Sequence, residues 1–124
     1  MTNPIGGRFV VPNVVVTQFN LNEGDLVADF GAGSGFFMQP LSKSVGDDGK
    51  VYLCEIQKQL VETIGNLARQ QGVGNVSALW CDLEEAGGIP IADSELDAAI
   101  LVNTLFMIED KETAIIEMAR TMRQ

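Results

Sequence analysis

Apolar and polar positions alternate in blocks along the 124 residues, and the block lengths predict the elements. Leu26–Phe30 is a short apolar run closed by glycines at 31, 33 and 35, the mark of a strand that stops at a turn. Residues 37–45 follow as a helix, provided that it starts late enough for Pro40 to fall in its first turn. The turn Gly46-Asp-Asp-Gly49 leads into a second strand over Lys50–Glu55. From Gln57 to Gln71, Leu60, Val61, Ile64, Leu67 and Ala68 recur at helical spacing until Gly72 and Gly74 end the helix. A third strand is predicted over Val76–Cys81, then a loop over Leu83–Ser94 with Gly87, Gly88 and Pro90. A fourth strand is predicted over Leu96–Val102, and a last helix over Lys111–Arg123 with Ile115, Met118, Ala119 and Met122 on one face.

Strands that alternate with helices build right-handed parallel units, and an almost unbroken apolar fourth strand implies burial on both faces. The expected fold class is therefore α/β, a Rossmann-like three-layer sandwich with a short parallel sheet in the order 3-2-1-4. A ligand belongs outside the carboxyl ends of the strands, where the winding direction reverses between strands 1 and 4. The chain is long enough for one domain, with residues 1–22 as an N-terminal segment and residues 25–110 as the core that holds the ligand. In the segment Ile5–Asn20 the β-branched residues favour a strand. Pro12 and the spacing of Val11, Val14, Val15 and Phe19 favour a short helix beside the cleft, which is the expectation adopted.

Composition narrows the chemistry. Seventeen acidic residues against eight basic ones give a net charge of −9, which argues against a nucleic-acid partner and against an anionic membrane surface. No run reaches the length of a membrane span, and no leader pattern is seen. Cys54 and Cys81 lack the spacing of a zinc site or a disulfide framework, so no metal is expected and both are read as reduced thiols of a cytoplasmic protein. The sequence contains no histidine. That excludes a serine–histidine triad or a histidine-ligated metal within this chain, and no catalytic residue is assigned.

The glycine loop decides the ligand. A dinucleotide fingerprint needs glycine at its first, third and sixth positions, but the sixth position counted from Gly31 is Phe36. The pattern is instead acidic-x-Gly-x-Gly-x-Gly, beginning at Asp29, and it resembles motif I of the class I methyltransferases, which use S-adenosylmethionine (SAM). A doubly negative pyrophosphate would be repelled by Asp29, whereas a sulfonium and an ammonium are not.

This resemblance covers Asp25 to Asp110 and implies the roles of particular residues. Gly31, Ala32, Gly33 and Gly35 form the loop against the cofactor, and Asp29 braces it and meets the SAM ammonium group. Glu55 matches the acid that accepts the ribose hydroxyls, and Ile56 the position that packs on adenine. Asp82 matches the acid that receives the adenine amino group, with Leu83 beside it. Asn103 lies where the backbone approaches the methionyl part.

Asn103-Thr-Leu-Phe106 departs from the Asp/Asn-Pro-Pro-aromatic motif of the nucleic-acid enzymes. Residues 103–110 look closer to the branch that contains quinone-biosynthesis enzymes, which implies a small-molecule methyl acceptor. Two other readings stand beside it: a minimal SAM-binding module without transfer, and a dinucleotide-binding oxidoreductase fragment. Members of the family usually continue with three more strands, so the chain is either truncated or compact. Its strand 4 edge is expected to support a homodimer, the alternative being a monomer whose edge the N-terminal segment covers.

Overall fold

A computed structural model of the chain describes residues 19–102 and 107–124. Four strands, β1 (Leu26–Phe30), β2 (Lys50–Glu55), β3 (Val76–Trp80) and β4 (Ala98–Ile100), form one sheet in the order β3-β2-β1-β4. Every pairing is parallel, as the strand–helix alternation predicts. The expected helix at the N-terminus falls mostly on residues outside the described ones.

Alternation along β1 and β2 divides the core into two layers. Val27, Val51 and Leu53 face α1 (Met38–Val45) and α2 (Lys58–Gln70), packing on Met38, Leu41, Val45 and Ile64. Ala28, Phe30 and Cys54 point to the opposite face, where Ile89, Ile91, Leu96 and the partly buried Met118 and Met122 cover them. Val27, Ala28, Val51, Leu53 and Cys54 are all fully buried, which explains why these strands read as continuous apolar runs. Helix α1 begins at Met38, so Pro40 sits in its first turn, where a missing N–H breaks no bond.

Strand β3 and helix α2 fall within a residue of expectation at each end, while β4, the last helix and one helix face differ by more. Strand β4 spans only Ala98–Ile100, and Leu96 instead forms an isolated bridge to Met122. The last helix, α3 (Lys111–Thr121), stops two residues early because Met122 turns extended. Leu96 N–H then donates to Thr121 O at 2.8 Å, and Arg123 N–H donates to Leu96 O at 2.8 Å. The chain's own C-terminus thus pairs with the residues just before β4. The face of α3 that meets the core carries Ala114, Glu117 and Thr121, while Ile115 is 53% and Ile116 63% exposed. Apolar spacing misplaced that face because its central residue is a buried carboxylate. Among the described residues no helix is long and apolar enough to cross a membrane.

Candidate functional site

The carboxyl ends of β1, β2 and β3 meet in one crevice. The chain leaves β1 through a loop in which Gly31, Gly33 and Gly35 all have positive φ, at 80°, 61° and 86°. This left-handed backbone costs an L side chain roughly 1–2 kcal/mol per residue, so the alternate glycines are conformational requirements. Gly31 and Ala32 donate their N–H groups to Cys54 O, at 2.8 and 2.9 Å, which docks the loop onto the end of β2. A Cβ placed on Gly33 would meet nothing within 4 Å, so the loop faces open space there.

Glu55, the last residue of β2, is buried and ties the crevice together. Its Oε1 accepts Gly33 N–H at 2.9 Å and its Oε2 accepts Gln57 N–H at 3.0 Å. A cavity of about 400 Å³ opens beside it, lined by Gly31, Gly33, Glu55, Ile56, Asp82 and Leu83, and also by Met107 and Ile108. Ile56 is 52% exposed, an apolar surface that a flat ligand can cover. One oxygen of Asp82 accepts Glu84 N–H at 3.0 Å.

On the other side of the loop lies a second cavity of about 400 Å³, lined by Asp29, Ala32, Ser34, Phe36, Phe37 and Val102. Gly31, Gly33 and Val102 line both cavities. The Phe36 ring is half exposed and stands edge-on to Phe37 at 5.1 Å, so it does not plug the loop.

Asp29 is the electrostatic anomaly. It lies one strand over from Glu55, on the same face, and is 2% exposed. Its Oδ2 has no hydrogen-bond partner among the described residues. Burial, aided by the Glu55 charge, pushes its carboxyl up to about 7. Among the described residues neither cavity has a Lys or Arg in its wall, while Asp29, Glu55, Asp82 and Glu84 all contribute. The crevice is therefore a negative, partly apolar site with no counter-charge among the described residues.

The structure thus brings Asp29, Gly31, Ala32, Gly33, Glu55, Ile56, Asp82 and Leu83 to the two cavities. Gly35 supports the loop from behind, packed near Ile64 and Met38, and Asn103 lies outside the described residues. Sequence reasoning missed Trp80, whose Nε1–H donates to Ile56 O at 2.6 Å while Lys58 stands over the ring at 5.2 Å. Its signal was present: a large aromatic ending an edge strand beside the Ile56 turn. Met107 and Ile108 carried no local signal.

The profile of a methyltransferase domain matches residues 27–124, from the second residue of β1 onward. The chain belongs to the methyltransferase domain family. It is similar to the ubiquinone/menaquinone biosynthesis C-methyltransferase UbiE of Haemophilus ducreyi, with 29% identity over 104 residues that cover 83% of this chain and 39% of that relative. The enzyme of the same name from Vibrio campbellii is 31% identical over 101 residues, covering 81% and 38%. Among solved structures, a SAM-dependent methyltransferase from Aquifex aeolicus superposes with a TM-score of 0.84 at 30% identity, covering 90% of this chain and 58% of that one. The chain thus spans about two fifths of the length of the curated relatives it matches.

Proposed function

We propose that this methyltransferase domain binds SAM in the crevice and transfers its methyl group to a small-molecule acceptor. The observation that carries the reading is the buried Asp29 carboxylate, whose Oδ2 has no hydrogen-bond partner among the described residues, beside a bare backbone loop. An uncompensated carboxylate of this kind fits a cationic ligand, and a diphosphate would add to the repulsion. The core that holds the cofactor runs from residue 25 to residue 110.

In this reading Asp29 holds the ammonium end. Glu55 accepts the ribose hydroxyls with the lone pairs that Gly33 and Gln57 leave free. Ile56 and Leu83 enclose the adenine, Asp82 receives its amino group, and Asn103 approaches the methionyl part. When bound, SAM supplies a methyl group on a positively charged sulfur, open to in-line attack. The protein's task is then to align the acceptor in the cavity beside Phe36 and Val102 and to exclude water, and no histidine is needed for that.

The relatives named for quinone biosynthesis and the net charge of −9 support a small-molecule acceptor rather than a nucleic acid. The two buried, unpaired cysteines suit a reducing compartment, which we take to be the cytoplasm. Incubation with methyl-labelled SAM and a panel of phenolic, quinol and amine acceptors tests transfer. Label in a small product is expected, whereas SAM binding without any labelled product favours a binding module.

We also read the outer edge of β4 as a homodimer contact. Among the described residues β4 pairs with β1 alone, and the C-terminus covers only the preceding Leu96. Sedimentation velocity at micromolar concentration is expected to show a dimer, and a clean monomer would refute it.

A further inference from the structure

Helix α3 buries a carboxylate where an amphipathic helix normally places leucine. Glu117 is 3% exposed and lies 34 residues along the chain from Leu83, the nearer of the two wall residues that follow β3. Burying that charge is unfavourable unless every lone pair is used. Here they are used on the loop that follows β3. Glu117 Oε1 accepts Gly87 N–H at 2.9 Å, and Oε2 accepts Ile89 N–H at 3.0 Å. Arg120 grips the same carboxylate with Nε at 3.1 Å and Nη2 at 2.7 Å. It also donates to Ile89 O at 2.8 Å and Ile91 O at 2.9 Å.

The pair thus makes four hydrogen bonds to the backbone of residues 87–91, bracketing Gly88. Gly88 in turn touches the cavity wall. Its carbonyl accepts Asp82 N–H at 3.0 Å, and a Cβ placed on it would stand 2.1 Å from Asp82 O. Backbone lies on backbone at this point, with no slack for a side chain. From Glu117 through Gly88 to Asp82 is a short chain of hydrogen bonds and covalent links. Asp82 and Leu83 are the wall residues at its end.

We propose that Glu117 and Arg120 are positioning residues for the adenine end of the cofactor, fixing Asp82 and Leu83 through Gly88 without touching the ligand. The inference rests on the adenosine reading of the cavity beside Glu55. An apolar side chain there would leave Gly87 N–H, Ile89 N–H and Arg120 without their acceptor, so the carboxylate is tied to this loop and not to the packing of the core alone.

The test is a comparison of two ligands on three proteins. S-adenosylhomocysteine and S-inosylhomocysteine differ at the purine 6-position, an amino group in the first and a carbonyl oxygen in the second. Dissociation constants are measured for wild type, Glu117→Gln and Arg120→Lys. Thermal unfolding confirms that each variant is folded, and the lysine variant carries the test where the glutamine one does not fold. Wild type is expected to prefer the amino ligand by about tenfold, the effect of one well-placed hydrogen bond to a charged group. In either variant the preference is expected to shrink to about twofold, mainly through weaker binding of the amino ligand.

Equal weakening of both ligands, with the tenfold preference kept, would overturn the positioning role and leave a purely structural one. A wild type that binds neither ligand, or does not distinguish them, would remove the adenosine reading itself and the inference with it.

Discussion

Asp29→Asn is expected to make the ligand-free protein more stable at pH 8 and, at the same time, to weaken SAM binding by roughly 100-fold. The two effects have one cause. In the free protein the Asp29 carboxyl is buried, its Oδ2 has no hydrogen-bond partner among the described residues, and burial pushes its pKa up from the ordinary 3.8 to about 7. Between those values the folded state holds a proton that the unfolded state has released, so stability falls as pH rises and levels off above about 7. The shift of roughly three units corresponds to up to about 4 kcal/mol. An asparagine has no charge to desolvate but still carries an amide in need of a partner, so a net gain of about 2 kcal/mol is expected at pH 8. Below pH 4 the gap closes, because the carboxyl is neutral in both states.

Urea unfolding of both proteins at pH 4 and pH 8 measures this. A variant less stable than wild type at pH 8 would mean that Asp29 is satisfied in the native structure. Binding changes in the opposite direction. The ligand's ammonium favours the ionised carboxylate, so wild-type affinity for SAM is expected to tighten about tenfold per pH unit up to about 7. Loss of a buried charge partner weakens binding by roughly 100-fold, and the steep rise with pH disappears in the variant.

Glu55→Ala is expected to weaken binding of SAM by roughly 1.5–3 kcal/mol, about 10- to 150-fold. It is also expected to lower stability, by about 1–3 kcal/mol, because Gly33 N–H and Gln57 N–H lose their shared acceptor. Glu55→Gln separates the two roles. Its single carbonyl oxygen keeps one of the backbone bonds and recovers part of the stability, but it no longer offers two anionic acceptors to the ribose diol. Calorimetric titration of the three proteins decides: unchanged affinity in Glu55→Ala would remove Glu55 from the site.

The parts of the fold written in local pattern were legible. The bounds of β2 were read as observed, because a strand buried on both faces is a block of apolar residues between turns. Pro40 placed the start of α1 to within a residue, because its ring admits only the first turn of a helix. The three positive-φ glycines announced the loop, since other residues would be strained there.

What failed is set by contacts between distant segments. Ile115 looked like a core residue and points outward, because Glu117 occupies the inner face to hold a loop nearly thirty residues earlier. The fourth strand looked longer than it is, because Leu96 spends its outer hydrogen bonds on Thr121 and Arg123. The motif gives Asp29 a place at the loop, and the structure lines a cavity with it. Its burial, with Oδ2 unpartnered among the described residues, depends on the whole crevice and is not written in any short window of sequence.

The account rests on the crevice being shaped for an adenosine ligand that ends in an ammonium group and carries no diphosphate. Isothermal titration of the wild-type chain at pH 8 with S-adenosylhomocysteine, and separately with NAD, tests it most directly. Saturable one-to-one binding of the first and none of the second is the result expected. Binding of NAD, or no binding of S-adenosylhomocysteine to a folded protein, would contradict it.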